Sequence, residues 1–150
     1  MSTEEIRHRV GINAPIEAVY EAIATREGAS RWWTRDVEGE SAVGAELTFL
    51  FGGEKRTAVM ELVELAAPDR VVWRCVHGPA EWVGTTITFE LRQQDDETVV
   101  VFTHAGWREP VEFLNHCSTK WAYFLLSLKH AVEGGQATPW PHDELVSSWG

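Results

Sequence analysis

Cysteine is scarce in this chain, and its two copies, Cys75 and Cys117, show none of the dense spacing that builds a disulfide framework. A reducing, cytoplasmic compartment suits them. Metal-binding patterns are missing too: neither Cys-x-x-Cys nor His-Glu-x-x-His occurs. Cys75-x-His77 and His116-Cys117 are the nearest approach, and adjacent residues on a helix diverge by about 100°. No Walker-type phosphate loop, dinucleotide fingerprint or Gly-x-Ser-x-Gly elbow is present. No metal and no cofactor are therefore expected.

Positive charge is also short, with 13 Lys and Arg against 23 Asp and Glu, for a formal net charge of -10. Such a chain repels a phosphate backbone, and no basic stripe offsets the repulsion, so nucleic acid is not an expected partner. The acidic groups, including Asp36, Glu38, Glu40 and Asp95, Asp96, Glu97, are dispersed and read as a solvated surface. Long hydrophobic runs are absent. The most apolar stretch, 121–126, lies between Lys120 and Lys129 and falls far below the roughly 20 residues that a bilayer demands. Met1-Ser2-Thr3-Glu4-Glu5 has neither the positive flank nor the apolar stretch of a signal peptide, so no export is expected.

What the chain does have is tryptophan: eight residues, beside only two tyrosines. Each supplies a large apolar face and one donor that needs a partner, and such residues fill cores or line cavities. At 150 residues the expectation is a single α+β domain over 1–150, with 135–150 as an irregular tail. Ile6, His8, Val10 and Ile12 alternate as in a half-buried strand. Asn13 as cap and Pro15 in the first turn then open a short helix through Ile16, Val19, Tyr20 and Ile23. Thr25 caps a second helix that runs to Trp32 and Trp33, whose adjacency predicts one ring inward and one outward.

Further strands are predicted over 47–51, 56–65, 70–77, 85–94 and 98–104, separated by Gly52-Gly53-Glu54-Lys55, Pro68-Asp69 and Gln94-Asp95-Asp96. Connections this short favour antiparallel neighbours. In the clearest strand Ile87, Phe89 and Leu91 alternate with Thr88, Glu90 and Arg92, so one face is wet and the other needs an apolar cover. A helix supplies it: Leu114, Cys117, Phe124, Leu125, Leu128 and Val132 gather around Trp121, while Lys120, Ser127, His130 and Glu133 fall elsewhere. Gly134-Gly135 ends that helix, and Pro139-Trp140-Pro141 begins the tail, with Trp140 placed to pack back.

Several of these pieces together resemble the helix-grip fold of the START-like (SRPBCC) superfamily, and within it the branch of the heat-shock-protein-ninety ATPase activator homologues. They are Ile12-Asn13-Ala14-Pro15 before Val19-Tyr20-Glu21-Ala22-Ile23, then Trp32-Trp33-Thr34, Pro68-Asp69-Arg70-Val71-Val72-Trp73, Thr103-His104-Ala105-Gly106-Trp107 and Cys117-Ser118-Thr119-Lys120-Trp121. The resemblance extends to Gly135. It implies an antiparallel curved sheet wrapped around a long C-terminal helix, with two short helices after the first strand. The superfamily hosts lipid carriers, hormone receptors, polyketide cyclases and co-chaperone domains, so fold alone does not choose a function. The namesake co-chaperones carry an extra partner-binding domain not expected here, which argues against a chaperone partner.

The aromatic set Trp33, Phe49, Phe51, Trp73, Trp82, Trp107, Trp121 and Phe124 either packs the core or lines a ligand chamber, and the resemblance favours the chamber. His104 is the candidate polar group aimed inward, able to orient a ligand or to act as acid or base, although spacing identifies no carboxylate to tune it. His77, on the face shared with Cys75 and Trp73, is a second candidate. Three functions compete. The first is binding of a small hydrophobic ligand such as a lipid, a polyketide or another aromatic molecule. The second is a cyclase or dehydratase-like enzyme using His104. The third is an interaction module with an exposed apolar patch around Tyr123, Leu126 and Trp149.

Overall fold

The computed structural model describes residues 4–52 and 56–150, so the predicted turn at Gly53, Glu54 and Lys55 lies outside the described residues. In chain order the elements are β1 (Glu4–Ile12), α1 (Ile16–Ala24), α2 (Arg26–Ala29), β2 (Asp36–Gly39), β3 (Glu46–Leu50), β4 (Thr57–Ala66), β5 (Arg70–His77), β6 (Thr86–Gln94), β7 (Glu97–Trp107) and α3 (Glu112–Glu133). The strands form one antiparallel sheet in the order β1-β7-β6-β5-β4-β3-β2. The fold is α+β of the helix-grip type. Ile87, Phe89 and Leu91 of β6 are buried and Glu90 and Arg92 are exposed, as their alternation requires. Register shifts in β4, at Val59/Met60 and Leu62/Glu64, add the local bend that lets a sheet curl around a helix.

Helix α3 lies along the concave face and buries Cys117, Trp121, Phe124, Leu125 and Leu128. Gly134 ends it in the left-handed conformation, φ 84°, with its N–H on the His130 carbonyl, a stop that any residue with a Cβ adopts at a cost. Ser127 departs from the sequence expectation. It is buried because its hydroxyl donates to the Trp32 carbonyl at 2.9 Å and accepts from the Thr138 N–H at 3.0 Å.

Three further local expectations are corrected. Pro15, not Asn13, holds the cap position of α1, and the Asn13 N–H instead donates to Glu133 at the far end of the chain at 2.7 Å. Trp32 and Trp33 both turn inward, because α2 ends at Ala29 and the turn that follows breaks the helical spacing between them. The Trp32 indole donates to the Ala22 carbonyl at 2.8 Å and meets Phe89 edge-on. Finally, β2 is an added edge strand with one buried residue, Val37, among Asp36, Glu38 and Gly39. Thr25 does cap α2, accepting from the Gly28 N–H at 2.9 Å.

Candidate functional site

At one end of the sheet the α3 helix stands away from the strands and leaves a cavity of about 630 Å³. Its floor is built by Phe51 just after β3, Thr57 and Ala58 of β4, and His77, Gly78 and Pro79 at the end of β5. One wall is α3, through Phe113, Cys117, Lys120, Trp121 and Phe124. Trp33 and Trp82 form the inner lining, and Trp140, Asp143, Leu145 and Trp149 of the C-terminal segment close the remaining side.

Trp33 is the hub of the aromatic packing. Its ring stacks on Trp73 (5.8 Å, 12°), tilts against Phe49 (4.4 Å) and Trp121 (5.0 Å), and meets Phe51 edge-on (5.3 Å). Trp82 stacks on Trp121 at 5.8 Å. The loop that carries Trp82 is pinned by Arg108, which donates to the carbonyls of Val83 (3.1 Å) and Ala80 (2.6 Å). The lining is thus made of large rings held by one another and by a clamped loop, which presents a largely pre-formed apolar surface.

Six of the sequence candidates face the cavity: Trp33, Phe51, His77, Trp82, Trp121 and Phe124. The other four stand behind that lining. Phe49 and Trp73 are fully buried beneath Trp33. Gly106, at φ 93°, interrupts the alternation of β7, so His104 and Trp107, three residues apart, both turn inward and pack at 5.1 Å. Among the described residues the buried indole N–H groups of Trp73, Trp82 and Trp107 find no partner.

His104 does not aim into the cavity. Trp121 donates its indole N–H to Nδ1 at 3.1 Å, which makes Nδ1 the acceptor and puts the ring proton on Nε2. Nε2–H then donates to the Thr85 hydroxyl at 2.8 Å, and that hydroxyl donates to the Trp82 carbonyl at 2.5 Å. Burial pushes the imidazole pKa down to about 3, so the ring is neutral at physiological pH. Such a histidine sets the angles of Trp121 and Trp82, and it has no free nitrogen for acid or base chemistry.

Sequence reasoning missed Lys120, His116 and the C-terminal segment as parts of the site. Residues 139–150 lie over the cavity as a strap. The strap is tied at Trp140, whose N–H donates to the Trp33 carbonyl (2.9 Å) and whose carbonyl accepts from the Arg35 N–H (3.1 Å). It is tied again where the Lys120 ammonium meets Asp143 at 2.7 Å, and where His116 Nδ1 and the Ser147 hydroxyl lie 2.6 Å apart. The one available signal was the Pro139-Trp140-Pro141 sequence, in which an aromatic residue is fixed between two helix-breaking residues. Burial raises the thiol pKa of Cys75 to about 11 and of Cys117 to about 12, so neither is a nucleophile.

No described group of His, Cys, Asp and Glu can hold a metal ion, and no described helix is long and apolar enough to cross a membrane. Leu126 and Trp149 are exposed at 48% and 52%, but Tyr123 is half-buried and donates its hydroxyl proton to Thr138 at 2.7 Å. Trp149 is turned toward Phe113 and the cavity rim.

Residues 13–133 match the model of the family described as Activator of Hsp90 ATPase homolog 1-like protein. No curated protein sequence matches the chain. Among solved structures, the Aha1 dimer from Colwellia psychrerythraea is similar at 40% identity and a TM-score of 0.81, over 89% of this chain and 99% of that one. CalU16 from Micromonospora echinospora is similar at 18% identity and a TM-score of 0.72, over 90% of this chain and 78% of that one. DynU16, from the dynemicin biosynthetic locus, is similar at 19% identity and a TM-score of 0.76, over 91% of this chain and 49% of that one. The last two likenesses are of fold.

Proposed function

This chain belongs to the Activator of Hsp90 ATPase homolog 1-like family, and from that premise we propose that it binds a small, largely apolar and aromatic molecule in the cavity between the sheet and α3. The observation that carries the reading is a chamber of about 630 Å³ faced by Trp33, Phe51, Trp82, Trp121 and Phe124. That volume lies within the roughly 300–1,000 Å³ typical of small-molecule sites. Trp33, Trp82 and Trp121 pack on one another at 5.0–6.5 Å and so offer one contiguous aromatic surface, which suits a flat guest lying against it, and stacking adds to the burial of apolar area. A guest burying roughly 300 Å² gains about 7.5 kcal/mol at about 25 cal/mol/Å², before association costs of several kcal/mol. Net of those costs the affinity is weaker than micromolar, since a micromolar Kd alone requires about 8.2 kcal/mol, and no covalent step is involved.

Acid or base catalysis by His104 is disfavoured, since both ring nitrogens are engaged and the ring stays neutral. Binding is therefore favoured over catalysis. The test is native mass spectrometry of the purified protein, with tryptophan-fluorescence titration against a panel of lipids and polycyclic aromatics. Retention of a guest, with quenching that Trp33→Ala and Trp82→Ala weaken, supports the proposal. Failure to take up any apolar compound removes it.

A further inference from the structure

The protein is acidic overall, at a formal net charge of -10, yet two permanent cations, Arg56 and Lys120, face its cavity. Arg56, His77, His116 and Lys120 face it, and among the described lining residues Asp143 alone carries a carboxylate side chain. Glu81 and Glu112 belong to a shallower adjoining groove beside Phe113 and Trp149. A cation at the edge of an aromatic chamber, in a chain that is acidic overall, can select among apolar guests by charge.

Lys120 occupies the most sheltered of these positions. Its side chain is 16% exposed and that of its partner Asp143 is 11% exposed. The ammonium lies 5.3 Å from the ring centre of Phe124 and 5.5 Å from that of Tyr123, so its stem and head are bordered by aromatic surface. It makes three contacts: Asp143 Oδ2 at 2.7 Å, the Glu144 carbonyl at 2.6 Å and the main-chain oxygen of Gly150 at 2.9 Å. All three acceptors come from the strap and none from the sheet or from α3. The cation is thus fixed to the scaffold, while the anion that faces it sits on a segment that joins no extended ladder. An ammonium so placed pairs with whichever oxyanion reaches it, and charge-assisted bonds of this kind are the strong ones.

We propose that Lys120 anchors the acidic group of an amphipathic aromatic ligand, a carboxylate or sulfonate borne on an aromatic body, and that Asp143 competes with that group for the ammonium. The aromatic body lies against Trp33, Trp82, Trp121 and Phe124, and the acidic group leads toward the strap. This inference rests on the cavity-binding function proposed above.

Two dyes with the same aromatic body test it: anilinonaphthalenesulfonate, which carries an acidic group, and N-phenylnaphthylamine, which lacks it. The full chain is titrated with each dye, following dye emission and tryptophan quenching. The expected result is that the sulfonate binds about tenfold more tightly than the neutral dye. Lys120→Met is expected to weaken the sulfonate about tenfold and to leave the neutral dye within about twofold. Asp143→Asn is expected to tighten the sulfonate by removing its competitor. Both substitutions break the same contact between α3 and the strap, so a merely structural role moves them in the same direction, whereas an anchor moves them in opposite directions. Equal binding of the two dyes by the unaltered chain, or parallel changes in the two variants, overturns the anchor and leaves the cavity standing. Binding of neither dye overturns the cavity and the anchor together.

Discussion

Trp121 and His104 are joined by a hydrogen bond of 3.1 Å in which the indole N–H donates to imidazole Nδ1. Because an indole nitrogen only donates, this contact alone decides where the imidazole proton sits. It also links the roof helix to β7, so the Trp121 ring that faces the cavity is aimed from behind by a residue that does not line the cavity. Thr85 extends the same chain to the main-chain carbonyl of Trp82, the residue that carries the second large ring of the lining.

The first expected outcome concerns that bond. Nitrogen-15 NMR of the folded protein at neutral pH should show His104 as a neutral ring with its proton on Nε2. Trp121→Phe removes the donor and leaves Nδ1 buried without a partner, which destabilises the fold by about 1–3 kcal/mol beyond the change in ring size. Urea unfolding measures the loss, and an unchanged midpoint would contradict this account of the bond.

Acid stability follows from the same ring. His104 is held near a pKa of about 3 in the folded protein, against an ordinary value of 6.5. Above pH 6.5 the ring is neutral folded or unfolded, and its contribution is fully present. As the pH falls from 6.5 toward 3, the unfolded chain takes up a proton that the folded chain refuses, so stability declines across that window. At pH 5 the loss is about 2 kcal/mol from this group. The slope between pH 7 and pH 5 should be shallower in His104→Gln, and parallel slopes would mean that the imidazole is not kept neutral.

Thiol chemistry offers a third check. Burial raises both cysteines well above the ordinary thiol range, and thiolate is the reactive form. A chromogenic disulfide reagent at pH 8 should label neither in the folded protein and both in denaturant. Rapid labelling of Cys117 under native conditions would show that the reagent reaches the thiol from the cavity it lines.

The parts of this fold that were legible in the sequence are those in which a single period dominates. Ile87, Phe89 and Leu91 mark their strand by alternation, and the residues around Trp121 mark their helix by apolar spacing, since both patterns are imposed by the same one-sided burial. What escaped depended on contacts between segments distant in sequence. Ser127 is polar and breaks the helical stripe, yet it is buried by a bond to Trp32, 95 positions away. Trp32 and Trp33 could both face inward only because the helix before them stops at Ala29. Asp36, Val37, Glu38 and Gly39 hold too few apolar residues to announce a strand, and β2 exists because β3 offers it an edge. For the site, ring-rich composition pointed to the lining but could not separate the rings that face the chamber from those one layer deeper. Gly106 made that separation invisible for His104 and Trp107 by shifting the inward phase of β7 by one residue.

The strap over residues 139–150 meets the main body through a short parallel bridge between Thr34 and Trp140 and through side chains of α3. A cover of this kind has no ladder to unzip. If the proposed binding function holds, a guest longer than the chamber is expected to displace only that cover and to leave every strand in register. Selectivity for size can therefore drift by substitution among those last residues while the scaffold beneath them stays the same.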